Sequence, residues 1–165
     1  FTLIEILIVI ALLGALAVGL LATVDPFEQL KKGTDTSTRN TVSELYNAFI
    51  RYYSVQNAMP WSTAQSAIVA SNTTMTGYIG KLADSGELKP DFIQLAGGSL
   101  ANIYITSTDS NGNGLFNNVA VCFSPNSKSF ANNDKNTKYS SDAKELTATC
   151  PSQGGTATSC YWCVK

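Results

Sequence analysis

The hydrophobic and polar positions divide this chain sharply in two. From Ile6 to Ala22 it reads ILIVIALLGALAVGLLA, without a polar side chain, and Thr2–Ile4 and Thr23-Val24 extend the run at either end. Glu5 is the only charge before Asp25. Read as helix, residues 1–24 would span roughly 36 Å, enough for a bilayer core of about 30 Å. Lipid leaves helix as the only open conformation that satisfies every backbone group internally. The residues that follow are too polar to wrap such a rod as a buried core helix. A secretory signal peptide would open with basic residues and close on a small-residue cleavage site; opening at Phe1, the chain reads instead as a processed product.

The pattern changes at Asp25-Pro26, where Pro26 either kinks a continuing helix or opens a new one with Asp25 as N-cap. Val42, Leu45, Tyr46, Phe49, Ile50 and Tyr53 then recur at helical spacing. The spacing predicts an amphipathic helix over 26–56, with a weak spot at Gly33-Thr34 and an end near Asn57. Residues 57–101 form a connecting region with a short helix around Thr76–Ser85, a turn at Ser85-Gly86 and a joint at Gly97-Gly98. Residues 102–165 read as sheet and C-terminal loop. Strands are expected at Ala101–Thr106 and Asn118–Phe123, flanking the hairpin signal TDSNGNGLFN, and at Thr137–Ser141 and Tyr161–Val164. The expected fold is α+β: a hydrophobic segment over 1–25, then a domain over 26–165 whose amphipathic helix packs on a small antiparallel sheet.

Composition narrows the chemistry. The 165 residues contain no His, which excludes Ser-His-Asp, Cys-His and HExxH catalysis. Scattered acids form no visible constellation, so no enzyme and no cofactor are expected. Glu5 aside, 11 acidic and 11 basic residues leave no bulk charge for coating nucleic acid. Lys128, Lys135, Lys138, Lys144 and Lys165 outnumber Asp134, Asp142 and Glu145 near the C-terminus. That patch supports at most weak, salt-sensitive DNA binding by an array of subunits.

Three groups of residues carry candidate function. An ionised Glu5 within a membrane costs roughly 3 kcal/mol and is functional by default. The nearest cation is the Phe1 amine; a neighbouring chain shifted along the axis would bring that amine beside Glu5 and pair both charges. The alternative is a carboxylate that snorkels to the headgroups. Cys122, Cys150, Cys160 and Cys163 fit two disulfides formed after export, with three connectivities open. Cys160-Tyr-Trp-Cys163 lacks the helix of a redox motif, and the distant Cys122 and Cys150 lack zinc-site spacing. Asp109, Asn111 and Asn113 match the opening of a calcium loop, but Ala120 stands where an EF-hand needs its bidentate Glu. A hairpin turn explains the same residues, and no metal is assigned. Asn72-Thr73-Thr74 matches a glycosylation acceptor, a three-residue pattern frequent by chance, and the serines and threonines of Thr34–Thr38 and Ser71–Thr76 read as solvated loop rather than O-glycosylation sites.

Phe1-Thr2-Leu3-Ile4-Glu5, running straight into the apolar segment, resembles the N-terminus of the type IV pilin and type II pseudopilin superfamily over about the first 25 residues. A weaker similarity follows in Leu45-Tyr46, Tyr52-Tyr53, Asn57 and Met59-Pro60. The family's helix-kinking Pro near position 22 is Ala22 here, which moves the expected kink to Pro26 and any local melting to Gly14 and Gly19. The resemblance implies cleavage by a prepilin peptidase before Phe1, N-methylation of Phe1, and a register-setting role for Phe1 and Glu5. It also implies a C-terminal disulfide stapling the final loop to the sheet. The function implied is the major subunit of an extracellular type IV pilus serving adhesion, motility or DNA uptake. Its partners would be further copies of itself, the inner membrane before assembly and the pilus assembly machinery, and its site the bacterial cell surface. The alternatives are a secretion pseudopilin and a binding domain on a single-span anchor.

Overall fold

The computed structural model describes residues 1–23, 25–146, 150 and 160–165. Helices α1 (Leu3–Thr23) and α2 (Pro26–Gln56) come first, followed by strand β1 (Gln65–Val69) and helix α3 (Thr73–Asp84). A short helix α4 (Phe92–Ala96) runs into a 3-10 turn (Gly97–Asn102). Strands β2 (Ile103–Thr108) and β3 (Asn118–Phe123), helix α5 (Lys128–Asn133), and strands β4 (Thr137–Tyr139) and β5 (Tyr161–Val164) complete the order. The five strands form one sheet in the order β1-β2-β3-β5-β4, antiparallel throughout. The architecture is the α+β arrangement of long helices and a small antiparallel sheet.

Local chemistry settles how α2 begins and ends. The Asp25 carboxylate accepts from the amides of Phe27 and Glu28, and Pro26 occupies the first turn, where its missing N–H costs nothing. Pro26 therefore opens a helix. Asn57 ends it in the left-handed conformation (φ 51°), its amide donating to the Tyr53 carbonyl. The weak spot expected at Gly33-Thr34 is absent: both residues are helical. A helical Gly costs about 1 kcal/mol, which the buried Asp35, Thr38, Val42, Leu45, Ala48 and Phe49 outweigh by anchoring the helix from the residue after Thr34 onward. Val42, Leu45 and Phe49 join Ile103, Ile105, Val119, Val121 and Phe123 from the sheet in one core. Trp61 closes its end, 4.9 Å from Phe49 and 5.8 Å from Tyr78 between ring centroids.

Several expected boundaries move. The first hairpin strand is Ile103–Thr108, two residues later than expected, because Gly97–Asn102 coils into the 3-10 turn. Helix α3 starts at Thr73 rather than Thr76, since Asn72 caps it by accepting from the Thr74 amide. The strand expected to reach Ser141 stops at Tyr139. β1 and α5 have no counterpart in the expectations, and β1 brings part of the connecting region into the sheet. Its register is irregular: Ala67 takes φ 49°, and the hydroxyls of Ser107 and Thr106 accept from the amides of Gln65 and Ala67. β3 and β5 fall on the expected residues.

Two devices fasten the C-terminal part. Cys122 bridges Cys163, directly across the β3–β5 ladder, and Cys150 bridges Cys160, so all four cysteines are paired. The two sulfurs of the CxxC thus belong to different bridges. The second device is a pair of carboxylates on α2. Asp35, 1% exposed, accepts from the Asn126 amide and, at 2.7 Å, from the Ser127 amide. Glu28, two helical turns earlier, accepts from the Lys128 amide. Ser127 in turn caps α5 by accepting from the Phe130 amide.

Asp35→Ala should destabilise the domain by about 2–3 kcal/mol, because it strips two amides of their acceptor and one of them is buried. Denaturant unfolding of the full chain in detergent measures the loss, and hydrogen exchange should rise first at residues 126–128. Replacing Cys122 and Cys163 by Ala should cost about 4 kcal/mol and replacing Cys150 and Cys160 about 3, following the closed segments of 41 and 10 residues. The same unfolding experiment ranks the two.

Candidate functional site

Helix α1 buries none of its residues. Leu3, Leu16, Leu20 and Leu21 are each exposed by more than 60%, and the apolar surface runs all round the helix. At 21 residues α1 is long and apolar enough to cross a membrane. Its last polar group is hidden locally, the Thr23 hydroxyl donating to the Leu20 carbonyl at 2.8 Å. Gly14 and Gly19, the points of expected melting, are helical here. Val24, the end of the expected apolar run, lies outside the described residues. A helix without a polar face needs cover from lipid or from other apolar helices.

Glu5 lies in the first turn of α1. Its Oε2 accepts from the Thr2 amide at 2.6 Å and from the Thr2 hydroxyl at 2.9 Å, while its own amide donates back to the Thr2 Oγ1 at 3.4 Å. This is a reciprocal capping box, and the T-x-x-E spacing that announces it is plain in the sequence. Oε1 accepts nothing among the described residues. No ion pair joins the Phe1 amine to Glu5 within the chain, and Phe1 is fully exposed. The structure thus brings Glu5 to Thr2, and leaves Phe1 apart.

The β2–β3 hairpin holds the calcium candidates. Asp109 Oδ1 accepts from the amides of Asn111 and Asn113, and Oδ2 accepts from Gly114 at 2.6 Å. Asn113 turns its own side-chain oxygen to the Leu115 amide. Gly112 and Gly114 take φ of 66° and 75°, the left-handed conformations such a turn demands. The Gly114 amide, with Asn113 and Asn111 behind it, holds the Asp109 carboxyl below its ordinary range. Among the described residues no three acidic or cysteine side chains converge on a common point.

The C-terminal lysines are largely spoken for. Lys138 pairs with Glu145 at 2.6 Å and Lys144 with Asp142 at 2.8 Å. Lys165 lies 4.5 Å from the centroid of the Tyr139 ring. These contacts partly neutralise the patch that bare counting of charges suggests, leaving Lys128 and Lys135 most open. Sequence reasoning also missed Lys32 and Arg39, which line a cavity against α5 with Ser129, Phe130, Asn133 and Asp134. No protein-family model, curated protein or solved structure matches the chain.

With its folded-state value depressed, Asp109 strengthens the hairpin at pH above the ordinary carboxylate range, and that support is lost as pH falls through the folded value. An NMR titration should show Asp109 protonating below the ordinary Asp range, with the Gly114 and Asn113 amides shifting in step. Millimolar calcium should leave these amides unmoved, since the carboxylate already serves the turn.

Proposed function

We propose that the chain is a filament subunit of the type IV pilin class, with α1 in the filament core and the disulfide-bonded domain outside. The observation that carries this reading is α1 itself: a helix long enough to span a bilayer, apolar on every side, and left uncovered by a domain that has a complete core of its own. In the membrane, lipid covers it. Outside, water tolerates it only if further copies of α1 do so. Roughly twenty apolar residues, each contributing on the order of 1 kcal/mol on burial, stabilise such a bundle without covalent links.

Apolar burial has no direction and cannot fix the stagger between neighbours. A charge pair can. The uncapped Oε1 of Glu5 is available to the Phe1 amine of an adjacent subunit while Oε2 stays with Thr2, and a misregistered neighbour would leave both charges buried and unpaired. The FTLIE motif supports a processed, N-methylated Phe1, and its mass in material sheared from cells tests that directly. A periplasmic pseudopilus or a single-span anchored binding domain would leave no surface fibres in electron micrographs.

Three substitutions separate register from capping. Glu5→Ala should leave the protein inserted and folded while reducing assembled filament at least tenfold. Glu5→Gln keeps a residue suited to the capping box but removes the charge, and should fail like Ala. Glu5→Asp should assemble in part. Counting fibres by electron microscopy against membrane-inserted subunit by immunoblot reads all three; normal filaments from Glu5→Gln would reduce Glu5 to a helix cap.

A further inference from the structure

We propose that the cavity between the first half of α2 and helix α5 seats the phosphate of an anionic lipid headgroup, held by Lys32 and Arg39. The cavity measures about 340 Å³, room for a glycerophosphate group, and is lined by Lys32, Thr36 and Arg39 from α2 and by Ser129, Phe130 and Asn133 from α5, with Asp134 at its edge. Lys32 and Arg39 stand seven residues apart, on one face of α2 and about 10 Å from each other along its axis. Among the described residues neither cation has a carboxylate within ion-pairing distance. The Arg39 guanidinium lies 5.6 Å from the centroid of the buried Phe130 ring, which orients its fork without consuming its donors.

Apart from Asp134, the other polar groups at the site fit an anion. Asp134, the one acid on its rim, already accepts from the Trp162 indole N–H at 3.1 Å and from the Asn136 amide at 2.8 Å. The Ser129 hydroxyl and the Asn133 side-chain amide add donors. The nearest acids of α2, Glu28 and Asp35, are turned to the amides of residues 126–128. What remains exposed is a rigid fork and an ammonium, the pair that recognises phosphate oxygens.

Position argues for a lipid source. Lys31 and Lys32 are the first basic residues after the apolar helix, where basic side chains meet anionic headgroups. Phe27 and Leu30, exposed by 73% and 68%, carry apolar surface past Asp25-Pro26 as far as these lysines. The assignment rests on the reading that α1 crosses a membrane.

The test uses the full chain in nanodiscs of equal phosphatidylcholine and phosphatidylglycerol, with retained lipids identified by native mass spectrometry. Phosphatidylglycerol should be enriched several-fold, with about fivefold loss for each of Lys32→Gln and Arg39→Gln and no change for Lys89→Gln, which lies outside the cavity. Near-UV circular dichroism confirms that the variants stay folded. Glycerol 3-phosphate, added to the protein in detergent, separates a free phosphate ligand from a headgroup. Equal retention of both lipids, or enrichment that survives both substitutions, overturns the proposal; so does binding of glycerol 3-phosphate without phosphatidylglycerol enrichment. A chain that enters nanodiscs of neither lipid overturns the membrane reading itself, and this assignment with it.

Discussion

The rest of the molecule answers to one constraint: α1 is a helix that its own domain does not bury. Wrapping an apolar rod would take apolar surface on the facing elements, and that surface is already spent. Val42, Leu45 and Phe49 of α2 meet Ile103, Ile105, Val121 and Phe123 of the sheet, and Met75, Ile79 and Leu82 of α3 close the same core. The domain is complete without α1, and α1 remains incomplete without an apolar environment. If the chain is the filament subunit proposed, this division would let it rest in a membrane and be transferred into an apolar bundle, because neither move requires the domain to unfold.

Helix α2 changes chemistry along one face. Its later part, Val42, Leu45 and Phe49, enters the core. Glu28 and Asp35, at seven-residue spacing on the same face, hold the chain entering α5 through backbone amides, which makes the grip independent of the side chains at 126–128. The two carboxylates reach across 100 and about 90 residues of sequence, the long-range closure that a thin core needs. The disulfides act on the same region from the other side, joining β3 to β5 and Cys150 to Cys160. The segment after β3 is therefore fixed at several separate points, none of which depends on burying much apolar surface.

Legibility followed locality. The ends of α2 and both strands at Asn118–Phe123 and Tyr161–Val164 could be read because their signals are short-range: an N-cap before Pro26, apolar spacing, an NGNG turn, alternating residues beside Cys. β1 escaped because a register shift between Gln65 and Ile68, bridged by the Thr106 and Ser107 hydroxyls, breaks its alternation, and no periodicity in Gln65–Val69 reveals it. α5 escaped because six residues are too few for a pattern, and its first amide, that of Lys128, is satisfied from α2. The disulfide connectivity and the lysine–carboxylate pairs are tertiary facts, set by which strands become neighbours. Thr2 is a different case. Its T-x-x-E spacing is a short-range signal legible in the sequence, and it is the cost of the Glu5 charge in lipid that overshadows it.

That capping box changes how Glu5 should be understood. A carboxylate at a helix N-terminus is stabilised by the unpaired amides there and by the helix dipole, so part of the cost of placing a charge in an apolar environment is met within the subunit. The same arrangement leaves one oxygen unused. In the filament proposed, an amine arriving from a neighbouring chain would meet an acceptor already oriented by Thr2 and not needing to be torn from an internal ion pair. Had the Phe1 amine been paired with Glu5 inside one chain, assembly would have had to break one salt bridge to make another, with little net gain. Thr2 satisfies the carboxylate well enough to keep it in place and incompletely enough to leave it available.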